Sequence, residues 1–128
     1  MLTKNFNISE FQSRDGSLMP EWVEYNVYEL AKNLQIVRDY IGKPIHINSG
    51  YRSLSLNKKI GGVPNSYHTK GMAADIIVEK MPPKKLAQTI RKLIKEGKIK
   101  QGGIGLYDDF VHYDTRGHEA RWDYSAFF

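Results

Sequence analysis

Cysteine is absent from the 128-residue chain, which excludes disulfides and thiolate metal ligands and leaves any metal to histidine and carboxylate. Either redox compartment therefore suits it. No run of 18 apolar residues occurs, so no segment is expected to span a membrane. The opening Met1-Leu2-Thr3-Lys4-Asn5 lacks an apolar h-region, and a secretory signal is not expected there. Internal repeats and low-complexity segments are missing too, so residues 1–128 read as a single domain, long enough to bury a core without staples.

A net charge of +5 and a pI near 9.4 raise the question of nucleic acid. The basic residues answer against it. Many fall in residues 80–100, where Lys84, Lys85, Arg91, Lys92 and Lys95 form the solvated face of an amphipathic helix. An anionic polymer such as a bacterial wall suits this mild positive charge as well.

Residues 20–41 carry the strongest helix signal. Val23, Val27, Leu30, Leu34, Val37 and Ile41 recur at steps of three and four, one face of a helix, begun at Pro20 and stopped by Gly42-Lys43-Pro44. Residues 82–96 form a second helix with Leu86, Ile90, Leu93 and Ile94 inward and Gly97 at its end. Ahead of both, Ser9 and Gln12 have capping-box spacing for a short opening turn. Residues 44–48 and 73–78 read as strands, and 102–107 with 110–115 as a hairpin turned at Asp108-Asp109. Between the first two strands, residues 54–67 form a long loop with one helical turn near residues 56–60; long ordered loops in small domains are usually functional. The aromatic tail, Trp122, Tyr124, Phe127 and Phe128, is expected to pack back on the body. The class is α+β, a small and mostly antiparallel sheet packed against two main helices.

The long loop runs into Ser66-Tyr67-His68-Thr69-Lys70-Gly71-Met72-Ala73-Ala74-Asp75. Zinc binds imidazole nitrogen and carboxylate oxygen at about 2.0–2.2 Å, and a catalytic site takes three protein ligands plus a water. His68 and Asp75 can supply two, and His112, in Phe110-Val111-His112-Tyr113-Asp114, the third. Strand alternation puts Asp75 on one face with Ala73 and Ile77, and His112 on one face with Asp114. The same pairs also suit a buried His–Asp hydrogen bond. His46 and His118 read as structural or exposed.

The pattern Ser66-x-His68-x-x-Gly71-x-Ala73-x-Asp75 with a downstream His-x-Asp resembles the zinc D-Ala-D-Ala carboxypeptidase and endopeptidase family, peptidase M15, and in particular its small bacterial and phage members. Residues 6–11, 47–53 and 110–117 resemble, in order, the family's opening, its strand-to-loop arginine segment and its last metal-ligand strand. The resemblance implies a hedgehog/DD-peptidase-like fold and zinc (Zn2+) held by His68, Asp75 and His112. It also implies hydrolysis of an amide bond in peptidoglycan stem peptides, as in cell-wall lysis by an endolysin or in remodelling. As acid/base it favours Asp109, three residues before His112. Alternation turns Asp109 to the opposite face unless it stands on a turn or bulge, and Asp114 remains the alternative. Arg52, in the family's Gly-Tyr-Arg-Ser context, would hold a developing oxyanion or a substrate carboxylate. Tyr51 and Ser66 would orient substrate or ligands. The expected partner is a peptidoglycan peptide, with no nucleic acid and a monomeric enzyme, either cytoplasmic or delivered by a phage to the wall. A non-catalytic zinc module that binds wall fragments or a protein is the alternative.

Overall fold

The chain's structure, a computed structural model, describes residues 2–125. Among them the first long element is α1, Glu21–Ile41, and its apolar stripe does what the spacing requires: Val23, Val27, Leu30, Leu34 and Val37 are fully buried. Gly42 ends it in the left-handed conformation, its N–H donating to the Arg38 carbonyl. The strand β1, His46–Ser49, then leads to α2, Leu54–Lys59, and on to β2, Ala73–Ile77. The helix α3, Pro83–Lys95, has Pro83 in its first turn and buries Leu86, Ile90 and Leu93, while Ile94 is only half-buried. Its lysines and arginine at 84, 85, 91, 92 and 95 are exposed, as expected of a solvated face. The chain closes with β3, Gly103–Leu106, β4, Val111–Asp114, and β5, Ala120–Asp123.

The five strands form one sheet in the order β1-β2-β4-β3-β5. Every pairing is antiparallel except β3 with β5, and with the three helices this makes a small α+β fold. Apolar side chains of α1, α3 and the sheet merge into one core that includes Phe6, Phe11, Ile76, Val111 and Tyr113.

Three local readings are corrected. The opening turn, a 3-10 helix at Ile8–Phe11, is capped by Asn7 and Glu10 rather than by Ser9 and Gln12: Asn7 N–H donates to Glu10 Oε2 at 2.7 Å. The turn inside the long loop is a helix that starts earlier, because the Ser53 hydroxyl accepts from Leu56 N–H and caps it at Leu54. The tail, expected only to pack back on the body, does so through Trp122, which lies against His112, but as a residue of a strand, β5. Tyr124 is 71% exposed, and Phe127 and Phe128 lie outside the described residues.

One glycine decides how closely His68 approaches the core. Gly71 ends the 3-10 helix Tyr67–Lys70 with φ +73°, and a Cβ there would lie 2.7 Å from Val23 Cγ1. Only glycine accepts both the left-handed backbone and that contact. The helix carrying His68 therefore seats directly on α1, where Asn26 Nδ2 donates to the Lys70 carbonyl at 2.9 Å.

Candidate metal centre

β2 and β4 pair in a register that sets Asp75 directly opposite His112, so both side chains leave the same face of the sheet. His68 comes in from the 3-10 helix, whose first turn is fixed by the Ser66 hydroxyl accepting from His68 N–H at 3.2 Å. All three side chains are buried, and their ligand atoms lie within 4.8 Å of one another.

The hydrogen bonds around the three residues decide what sits between them. His68 Nδ1 lies 2.8 Å from the Gly50 carbonyl, which can only accept, so that nitrogen carries the proton and donates. In the neutral ring Nε2 then presents a lone pair, and it faces Asp75 Oδ1 at 3.2 Å. His112 repeats the arrangement: Nε2 donates to Asp114 Oδ2 at 2.7 Å, leaving the Nδ1 lone pair facing Asp75 Oδ1 at 3.3 Å. The tautomers follow from these partners. Three acceptors thus converge with no donor among them, and such a cluster calls for a cation. Donors about 2.0–2.1 Å from a tetrahedral zinc stand roughly 3.3 Å apart, close to both N–O separations observed. The residues fit zinc.

Without an ion, protons do part of its work. With no ion between them the two rings can instead be protonated and donate to Asp75. Burial alone would drive its carboxyl toward the neutral form, yet hydrogen bonds from His112 and His68 then outweigh it and hold the group below the ordinary carboxylate range. Burial disfavours a charged His112, but Asp114 and Asp75 more than compensate and its pKa is raised.

Asp114 is completely buried and saturated. Besides His112 it accepts from Gly103 N–H at 2.8 Å, Arg116 N–H at 3.1 Å, Arg116 Nε at 2.9 Å and Arg116 Nη2 at 2.7 Å. A carboxylate that fixes the tautomer and ring plane of a ligating histidine is the usual outer partner of such sites.

The family model described as Peptidase M15 matches residues 3–114. The chain belongs to the peptidase M15 family. This M15 chain is similar to the peptidoglycan L,D-endopeptidase MepK of Escherichia coli K12, 37% identical over 87 residues that cover 62% of this chain and 44% of the relative. A probable L,D-endopeptidase MepK of Haemophilus influenzae is 31% identical over 97 residues, covering 70% and 49%. The zinc D-Ala-D-Ala carboxypeptidase of Streptomyces albus G is 42% identical over 70 residues, covering 54% and 24%. The chain spans less than half the length of each.

The M15 centre opens into a cavity of about 460 Å³, within the size range of small-ligand sites. Residues 61–67 wall one side, and Tyr107, Phe110 and Trp122 line it too. Of the other residues expected in the site, Arg52 lines the cavity and reaches Asp75 Oδ2, Asn57 Oδ1 and Ser49 Oγ, each at 3.3 Å. Ser66 lines it as well, with its hydroxyl engaged in capping. Tyr51 is part of the hydrophobic core instead, its N–H donating to the Phe11 carbonyl at 2.8 Å. Asp109 is exposed on the bend between β3 and β4, beside a different hollow shared with Pro83 and Leu86. Neither Asp109 nor Asp114 lines the cavity of the centre. Sequence reasoning missed Arg116, Tyr107 and Trp122 here. Trp122 stands between Arg121 and Asp123 in an aromatic, charged tail, a context that does not distinguish a strand from a coil.

Proposed function

We propose that this chain is a zinc-dependent peptidase that hydrolyses an amide bond in the peptide part of bacterial peptidoglycan. The observation that carries the reading is the convergence of His68, Asp75 and His112 as three acceptors without a donor, in an M15 chain whose relatives are named for peptidoglycan and D-Ala-D-Ala peptide cleavage. Zinc bound there supplies a Lewis acid for the scissile carbonyl and lowers the pKa of water toward about 7.

The chain's own residues do the rest. Arg52, with three long contacts at 3.3 Å and an edge on the cavity, offers a permanent, planar charge to a developing oxyanion or a substrate carboxylate. Asp114 holds His112 by Nε2 and leaves Nδ1 to the ion, a placement that supports an orienting role rather than proton transfer. Asp109, exposed on the bend three residues before His112 and outside the cavity lining, serves as acid/base in this reading by swinging toward the centre when substrate binds. The peptide lies between residues 61–67 and the aromatic wall.

Purified peptidoglycan incubated with zinc-loaded protein should yield new amine ends, and His68→Ala should yield none above background. Mass spectrometry of the products then identifies the bond. One observation favours a second reading, a zinc-containing module that binds wall fragments without cutting them: Asp75 is the only carboxylate lining the cavity among the described residues. Bound zinc with no new amine ends would select it.

A further inference from the structure

The cavity holds a polar group whose proton is unspoken for. Tyr107 follows β3 and, by alternation from Gly105, stands on the face that carries His112, since Gly105 pairs with His112 across the two strands. Its ring stacks on Phe110 at 4.4 Å between centroids and 16° between planes. Its hydroxyl is held by Trp122, whose Nε1 lies 2.9 Å away. An indole N–H only donates, so the phenol oxygen accepts and its own O–H is left to donate. Among the described residues that O–H has no acceptor.

Trp122 is itself fixed with respect to the metal centre. In β5 it pairs with Gly105, and the indole lies against that glycine so closely that any Cβ there would run into Nε1 and Cε2. The same indole packs on His112, with centroids 4.9 Å apart. One rigid ring therefore links a metal ligand to the Tyr107 hydroxyl, and glycine at 105 is what lets it lie flat. Burial and the nearby Asp75 carboxylate both disfavour loss of the phenol proton and raise its pKa, which keeps the group a donor at neutral pH.

The geometry points to Tyr107 as a catalytic hydrogen-bond donor to the reacting amide, with Trp122 and Gly105 as its positioning residues. The inference rests on the peptidase reading and adds a second electrostatic group beside Arg52's in the lining of the same cavity. A preorganised donor held in that cavity, where charge develops during reaction, acts on the transition state more than on bound substrate. Its removal should therefore appear in kcat and leave KM nearly alone.

The test measures amine release from soluble, glycosidase-released peptidoglycan fragments by zinc-loaded wild type, Tyr107→Phe and Trp122→Phe. Tyr107→Phe, which keeps the ring and its stacking, should lower kcat about 10²–10³-fold, with KM within about threefold and zinc content unchanged. Trp122→Phe keeps the hydroxyl but not its anchor, and should lose less, within the roughly 10²-fold that a 1 Å misplacement costs. The proposal is overturned if Tyr107→Phe retains kcat within about threefold of wild type, or if its loss tracks a fall in bound zinc. It is also overturned if Trp122→Phe equals or exceeds the loss, because the indole would then be the functional group. Hydrolysis by wild type separates these results from failure of the peptidase reading itself, in which no fragment is cut by any of the three proteins.

Discussion

Asp75→Asn should abolish peptidoglycan cleavage and weaken zinc binding by more than the 10–100-fold typical of losing an outer partner. The substitution keeps the volume of the side chain and removes one charge. In the wild type a divalent ion meets two neutral imidazoles and one carboxylate, leaving one net positive charge in a buried site. In the variant the full double charge stays uncompensated, with Arg52 nearby, and isolated charge in such surroundings costs several kcal/mol. Asparagine can still accept from Arg52 through its carbonyl oxygen, so the β1–β2 region keeps a partner for that guanidinium. Far-UV circular dichroism should therefore remain native while zinc titration and amine release both fail. A variant that binds zinc with wild-type affinity would show that Asp75 is not a ligand.

Asp114→Ala should be the most destabilising change in the site, by about 3–5 kcal/mol, the usual cost of removing one partner from a buried ion pair. Its side chain is wholly inaccessible, whereas Arg116 is 17% exposed, so the arginine recovers only part of its hydration. Gly103 N–H loses its acceptor as well, and with it one of the ties between β3 and β4. His112 would be free to turn about its Cβ, and zinc affinity should fall a further 10–100-fold. The midpoint of urea unfolding and a zinc titration of the folded fraction read the two effects separately. Asp114→Asn, which retains shape and one acceptor oxygen, should fall between the variant and the wild type in both.

How much of this was legible in the sequence depends on how local each signal is. The steps of three and four in α1 needed nothing beyond the chain itself, because the helix presents its core face at that period whatever it packs on. The spacing of His68 and Asp75 was a weak signal that suited a buried His–Asp pair equally well, and it was the resemblance to peptidase M15 that made them, with His112, a ligand set. His112 followed from strand alternation once β2 and β4 were taken as neighbours. β5 was not legible. Ala120-Arg121-Trp122-Asp123 carries charges on an edge strand and pairs in parallel with β3, and only Gly105, a gap in a strand 17 residues earlier, explains where Trp122 lies. Asp114 was placed on the correct face, but its commitment to Arg116 and Gly103 depends on contacts that spacing alone does not reveal. The opening cap went to Asn7 rather than Ser9 because the chain turns one residue pair earlier, a difference that propensity does not separate when Asn and Ser cap equally well.

One ion held by His68, Asp75 and His112 is what the proposed activity requires, and a zinc-loaded crystal measured at the zinc absorption edge tests that directly. One anomalous peak per chain, in contact with His68 Nε2, His112 Nδ1 and a carboxylate oxygen of Asp75, is the predicted result. A crystal soaked in zinc with no peak among these three side chains, and with His68 and His112 still bonded to Asp75, would contradict it and reduce the centre to a buried His–Asp–His cluster.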